Sequence, residues 1–287
     1  METSELLKKV RKVEIKTKGL SQHIFSGEYH SMFKGRGMSF SEVREYQIGD
    51  DIRSIDWNVT ARFNHPYVKI FEEERELTVM LLVDMSGSGD FGTKVQLKRE
   101  LITELCAVLS FSAINNHDKV GVIFFSDIIE KFIPPKKGKT HILRIIRELI
   151  DFQPKSKGTD IAKAIKYLTG IIKKRCITFI LSDFLDTKFE NELKIASRKH
   201  DVVGIRIFDE KESQLPDAGI IRLLDAESGK VMWANTSNKN VRKKYEEWSQ
   251  EEMKKLSNVF KKSGVDYVNI STNENYVKPL MNFFKSR

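Results

Sequence analysis

Two cysteines in 287 residues, Cys106 and Cys176, are too few and too far apart for a disulfide framework. Each sits in an apolar stretch and is expected as a small core residue. Long hydrophobic runs are equally scarce. The longest, Leu77 to Val83, falls far short of the roughly 20 residues that span a bilayer. The opening stretch, METSELLKKVRKVEIKTKG, alternates charge with apolar side chains and lacks the apolar centre of a secretory signal. A soluble cytoplasmic protein is the expectation. Signatures of common catalysts are missing as well. There is no Gly-x-Ser-x-Gly elbow and no His-Glu-x-x-His. The six histidines, His23, His30, His65, His117, His141 and His200, are scattered without paired-ligand spacing and are expected mostly on the surface or in loops. Gly138-Lys139-Thr140 invites comparison with a phosphate-binding loop. The glycine that motif needs five residues before Gly138 is Ile133, and Pro134-Pro135 stand where a buried strand should lead into the turn.

What is abundant is charge. Lysine and arginine number 49 against 40 acids, a formal excess of +9. One basic cluster runs through Lys136, Lys137, Lys139, Arg144 and Arg147 to Lys155 and Lys157, and another is Arg242 to Lys244. Neither is interleaved with aromatics or set on a recognition helix, so both read as solvated faces.

Along the chain, Leu6, Leu7, Val10 and Val13 have helical spacing, which predicts a short amphipathic helix over Ser4 to Ile15. From Lys16 to Arg75, glycines 19, 27, 35, 37 and 49 interrupt any long element, and only Val68 to Phe71 reads as a short strand. From Leu77 the pattern is regular. LTVMLLV, KVGVIFFS (119–126), CITFILS (176–182) and Val202 to Phe208 are continuous apolar runs, as in parallel strands covered on both faces. Ile128 to Ile133 reads as a short edge strand. Helical periods lie over Lys94 to Asn115, Thr140 to Asp151, Asp160 to Ile172 and Phe189 to Lys199. A hairpin around Glu227-Ser228-Gly229, a long helix from Asn238 to Lys262, the strand VDYVNI and a closing helix from Tyr276 to Phe284 follow. Buried strands alternating with helices predict an α/β fold: a doubly wound, mostly parallel sheet with helices on both faces, over residues 77–287. Residues 1–76 form an N-terminal extension.

Three loop or strand ends carry chemistry: Asp84-Met85-Ser86-Gly87-Ser88 after the first buried strand, Gly158-Thr159-Asp160 opening a helix, and Ser182-Asp183 ending CITFILS. Ligands of open parallel sheets bind beyond the carboxyl ends of the strands. Asp84 and Asp183 offer anionic oxygens; Ser86, Ser88 and Thr159 offer neutral hydroxyls. Without sulfur or imidazole in the set, Mg²⁺ or Mn²⁺ is favoured over zinc or copper. Gly87 permits the tight path between the serines. Five side chains, some acting through water, leave a position of the octahedral shell open to a carboxylate from outside.

Asp84, Ser86 and Ser88, then Thr159, then Asp183, resemble in type and order the metal-ion-dependent adhesion site of von Willebrand factor A domains, whose fold is Rossmann-like. That resemblance implies direct coordination by Ser86, Ser88 and Thr159, waters held by Asp84 and Asp183, and a partner's Glu or Asp completing the shell. Upstream, Arg44-Glu45-Tyr46, Gly49-Asp50-Asp51, Arg53, Ile55-Asp56-Trp57 and Ala61-Arg62 resemble the signature of family 58 of the domains of unknown function, as does the ending VDYVNISTNENYVKPLMNFF. The likeness covers nearly the whole chain from about Gly37. It implies association with a MoxR-type AAA+ ATPase in chaperone-like assembly or activation of other proteins, and supplies no catalytic residue.

Asp-x-Ser-x-Ser alone could simply cap a helix; Thr159 and Asp183 on the right elements lift it above that. Arg44, Asp50, Asp51, Arg53, Asp56 and Trp57 are read as structural, forming buried salt bridges and a packed indole, and Trp233 and Trp248 as packing residues. The reading is therefore a non-enzymatic, metal-dependent protein-binding module. A metal-dependent phosphoester hydrolase is the alternative, weakened because an acyl-phosphate site wants a second Asp where Ser86 stands. A nucleic-acid binder driven by excess positive charge is the other, and its binding would fall steeply with added salt.

Overall fold

The computed structural model describes residues 8, 10–14, 16–17, 39–72, 77–92, 96–186, 188–224 and 229–287. Contacts divide the chain into two units, Met1–Tyr29 with Thr78–Arg287, and His30–Leu77.

In the larger unit the strands β3 (Thr78–Asp84), β4 (Lys119–Phe125), β5 (Ile129–Lys136), β6 (Ile177–Ser182), β7 (Asp201–Phe208) and β10 (Asp266–Ser271) form one sheet in the order β10-β7-β6-β3-β4-β5. All neighbours are parallel except β5, which runs antiparallel to β4 at the edge. Pro134 and Pro135 lie in β5, and an edge strand tolerates the missing donors. The chain runs outward from β3 to β4 and β5, then returns to β6 on the other side of β3. The switch in direction between β3 and β6 opens a crevice at their carboxyl ends.

Both sheet faces are covered, which is why the central strands are apolar throughout rather than alternating. Met80 and Leu82 of β3 and Ile180 of β6 share a core with Ile161, Ile165 and Leu168 of one helix (Ile161–Ile171), Leu193 of a second (Glu190–Lys199) and Phe260 of a third (Lys239–Ser263). On the opposite face lie the helix Lys98–Asn115, which contacts β3 and the helix Lys139–Asp151, and the closing helix Val277–Ser286, whose Phe284 meets Phe179 edge to face at 6.2 Å. The architecture is the expected doubly wound α/β sheet.

The predicted N-terminal helix falls partly on described residues: 8, 10–14 and 16–17 are helical, Val10 is buried, and Lys16 grips both carboxylate oxygens of Glu104 at 2.7 Å. The predicted hairpin exists as antiparallel β8 (Ile220–Leu224) and β9 (Val231–Asn235), although residues 225–228 of its turn lie outside the described set. The helix expected from Lys94 begins at Lys98; Gln96 and Leu97 are not helical, and residues 93–95 lie outside the described set.

The smaller unit holds a two-stranded antiparallel sheet, β1 (Ser39–Glu45) with β2 (Tyr67–Glu72), and a short helix, Trp57–Phe63. β1 and that helix were invisible in the glycine-punctuated sequence. Asp56 caps the helix by accepting from the amides of Asn58 and Val59, and Asp51 caps the preceding 3-10 turn. The expectation of buried salt bridges and a packed indole here is corrected. Arg44 and Asp50 do pair at 2.6 Å, but in a partly exposed setting, and Trp57 is 66% exposed. So small a unit has too little interior to enclose an indole. Trp233 (68% exposed, on the hairpin) and the half-exposed Trp248 likewise stand out from the surface rather than in it.

One strand residue is dictated by packing. A Cβ on Gly204 of β7 would lie 2.6 Å from the Phe260 ring, which stacks on Tyr267 with centroids 4.6 Å apart. Gly204→Ala is expected to cost about 1–3 kcal/mol through overpacking, read as a lowered thermal midpoint, with Phe260→Leu in the same chain recovering part of it.

Candidate metal centre

Local backbone chemistry places the candidate residues at the carboxyl ends of β3 and β6 and on the loop before the helix Ile161–Ile171. Asp84 is the last residue of β3. The backbone continues the ladder one step further, with Met85 N–H donating to Phe125 O at 2.8 Å, before it turns away at Ser86. Residues Gly87–Asp90 form a 3-10 turn, closed by Gly89 N–H on Ser86 O at 3.1 Å. Asp84, Ser86 and Asp183 are each about 5% exposed; Ser88 and Thr159 are half-buried.

The loop bearing Thr159 is fastened to this turn from several sides. Gly87 N–H donates to Lys157 O at 3.0 Å, Asp160 N–H to Ser126 O at 3.0 Å, and Ile161 N–H to Asp186 Oδ2 at 3.1 Å. Glu130 Oε1 on the edge strand accepts from the amides of Lys155 and Ser156 and from Ser126 Oγ. Glu130 and Asp186 therefore act as anchors that the sequence did not single out.

Each carboxylate oxygen of the pair holds a donor. Asp84 Oδ1 accepts from Ser86 N–H at 2.9 Å and Oδ2 from Ser182 Oγ at 2.6 Å. Asp183 Oδ1 accepts from Leu185 N–H at 3.3 Å and Oδ2 from Lys98 Nζ at 3.1 Å. Burial first, and the negative charge of Asp183 second, push the Asp84 carboxyl up to about 7, against the pull of the Ser182 and Ser86 hydrogen bonds. Such a pair in a poorly hydrated crevice is a place where a cation is wanted.

The neutral donors fit one. Ser86 Oγ and Ser88 Oγ lie 3.0 Å apart. Adjacent oxygens in an octahedron with Mg–O bonds of 2.0–2.1 Å are separated by about 2.8–3.0 Å. Among the described residues no three of His, Cys, Asp and Glu gather into a metal cluster, so a site here depends on hydroxyls for part of its shell. All of its donors are oxygens, the set that hard divalent ions prefer.

The model of the family described as "Protein of unknown function DUF58" matches residues 42–255. The chain belongs to that family. The uncharacterized protein Rv1480 of Mycobacterium tuberculosis is 33% identical over 225 residues, covering 77% of this chain and 71% of its own. The uncharacterized protein YeaD of Bacillus subtilis is 29% identical over 110 residues, 38% of this chain and 25% of YeaD. Among solved structures, the conserved hypothetical protein BatB of Bacteroides thetaiotaomicron is similar with a TM-score of 0.48 at 17% identity, over 73% of this chain and 98% of BatB. The VWA domain of SpRpn10 is similar with a TM-score of 0.38 at 12% identity, over 74% of this chain and 96% of that domain.

Among the described residues of this DUF58 chain, no helix is long and apolar enough to cross a membrane. Both cysteines are buried in the core as expected, and burial pushes the Cys176 thiol up to about 11. His200 departs from the surface placement expected of most histidines: it is buried, with Nδ1 3.2 Å from Cys176 Sγ. Missing from the sequence reading were Lys98, Ser182 as a donor to Asp84, Arg206, whose Nε donates to Asp183 O at 3.2 Å, and Glu212. A buried lysine is the signal that could have been sought, but nothing local marks it.

The Asp84 shift has a measurable sign. Unfolding returns its carboxyl to about 3.8, so between pH 4 and 7 the folded chain holds a proton that the unfolded chain releases. In EDTA, this residue is expected to withdraw stability as pH rises through that window. Thermal midpoints of wild type and Asp84→Asn should therefore diverge toward pH 7, the variant gaining; parallel curves would show that Asp84 carries no such shift.

Proposed function

We propose that this DUF58 chain is a non-enzymatic protein-binding module that grips its partner through one Mg²⁺ or Mn²⁺ ion. Ser86, Ser88 and Thr159 would hold the ion directly, and Asp84 and Asp183 would hold it through water. The observation that carries the reading is the 3.0 Å spacing of the Ser86 and Ser88 hydroxyls beside two buried carboxylates. Because both carboxylates already accept hydrogen bonds from within the chain, their charge is partly satisfied. The ion then keeps positive charge unneutralised, and a Glu or Asp side chain from the partner is a strong ligand for it.

The order Asp84, Ser86, Ser88, Thr159, Asp183 resembles that of the adhesion site of von Willebrand factor A domains, and that resemblance supports an interaction role. We place a MoxR-type AAA+ ATPase as the working partner on the family resemblance alone, with the pair acting in chaperone-like assembly or activation of other proteins. A phosphoester hydrolase draws no specific support. The position for a second nucleophilic or basic carboxylate is Ser86, and the nearby Lys98 is committed to two ion pairs.

Affinity capture from cells, read by mass spectrometry with Mg²⁺ and with EDTA, tests the proposal. Partners are expected to be held with the metal and lost without it. Asp84→Ala is expected to weaken Mn²⁺ binding about 10–100-fold and to abolish capture, while the circular dichroism of the fold is unchanged. Undiminished capture in EDTA, or by folded Asp84→Ala, would remove the metal from the mechanism.

A further inference from the structure

Lys98 occupies a position that ordinary rules disfavour twice. It is 1% exposed, although lysine is rarely enclosed without a partner. It also opens the helix Lys98–Asn115, where the aligned peptide dipoles repel a cation. Two acids compensate. Nζ lies 3.1 Å from Asp183 Oδ2 and 2.5 Å from Glu212 Oε1, so the ammonium is paired with a carboxylate on two sides. Asp183 follows β6, and Glu212 closes a 3-10 turn after β7, so the ammonium bridges the exits of two adjacent strands. Nothing about helix formation or core packing requires a buried cation there. An apolar side chain would fill the space without desolvating a charge only if Asp183 and Glu212 were not there to be paired.

Resting on the metal-centre reading above, we infer that Lys98 is a fixed counter-cation of the metal site. It neutralises part of the Asp183 carboxylate from behind, so that the ion in front is held by fewer net negative charges and remains electrophilic toward the carboxylate of a partner. Asp183 has one oxygen on Lys98 and the other on the Leu185 amide, which leaves its remaining lone pairs for water around the ion. Arg206, with Nε on the Asp183 carbonyl, adds positive charge to the same wall. The consequence is a trade. Lys98 weakens the chain's own hold on the metal and strengthens the metal's hold on an outside acid. In the metal-free protein it also stabilises Asp183, so the fold does not depend on the ion being present.

A lysine that merely tied three elements together would behave differently when removed. Loss of a structural tie loosens the site and weakens the metal. Loss of a counter-cation makes the site more negative and tightens it. The discriminating experiment is an isothermal titration of the full chain with Mn²⁺, alone and in the presence of acetate as a probe carboxylate. It uses wild type, Lys98→Met and Lys98→Arg, with thermal midpoints recorded in EDTA and in Mn²⁺.

Lys98→Met is expected to melt lower in EDTA, to bind Mn²⁺ at least about tenfold more tightly, and to show a larger upward shift of its midpoint with Mn²⁺. Acetate should raise Mn²⁺ affinity in wild type and do so less in Lys98→Met. Lys98→Arg, which keeps the charge, should retain wild-type Mn²⁺ affinity whatever its stability. Weaker or unchanged Mn²⁺ binding by Lys98→Met, or equal tightening by Lys98→Arg, overturns the inference. Should Lys98→Met fail to fold, Glu212→Gln replaces it. Releasing Lys98 wholly onto Asp183 is expected to weaken Mn²⁺ several-fold, and unchanged or tighter binding overturns the inference. A folded wild type that binds no Mn²⁺ would instead sink the metal-centre reading itself.

Discussion

Two carboxylates, Asp84 and Asp183, are held at the ends of adjacent strands in a crevice that admits little water. That arrangement is the constraint around which the site is organised. Lost hydration and the repulsion between two like charges so placed both disfavour ionisation, which pushes the Asp84 carboxyl above its ordinary range. The chain meets the cost with directed donors: the Ser182 hydroxyl and Ser86 amide on Asp84, the Leu185 amide and the Lys98 ammonium on Asp183. The rigid parallel ladder between β3 and β6 prevents the carboxylates from relaxing apart. A carboxyl whose ionisation is shifted by burial and a like charge on a stiff scaffold is a common mark of a binding site.

The surrounding loops serve that geometry. Glu130 gathers the amides of Lys155 and Ser156, and Gly87 reaches the Lys157 carbonyl, so the segment leading to Thr159 is drawn against the serine turn. The Ser86 and Ser88 hydroxyls thus share one turn and Thr159 lies on a second segment, while the two carboxylates sit at strand ends. The division is chemically sensible. The serine hydroxyls are neutral, and the two carboxylates are tempered by hydrogen bonds from within the chain.

Polar and apolar surfaces divide along unexpected lines elsewhere. The hairpin of β8 and β9 exposes Ile220, Leu224, Val231 and Trp233, which its register places on one face of the ribbon. The smaller unit exposes Ile48, Ile52, Trp57 and Phe63. Tryptophan is ordinarily a packing residue, but Trp57 and Trp233 are exposed. A side chain's hydrophobicity favours burial but cannot supply an interior where a two-stranded ribbon or a short helix has none.

Much of the larger unit was legible because its signals are short-range. Continuous apolar runs such as LTVMLLV and CITFILS mark strands buried on both faces, and the helical periods between them leave one economical arrangement of the sheet. Asp84, Ser86 and Ser88 sit within five residues, and the strand before them fixes the edge on which they emerge. β1 and the helix Trp57–Phe63 hold no glycine but are seven residues each, too short for a period to show in a segment that glycines interrupt. Ion pairs and cross-loop hydrogen bonds were decided only by the tertiary structure. Lys98 and Asp183 are 85 positions apart, and nothing near either one names the other. Their meeting follows from strand order, which places the start of the first covering helix behind the end of β6. Periodicity is written residue by residue, whereas the partner of a buried charge is chosen by the path of the whole chain.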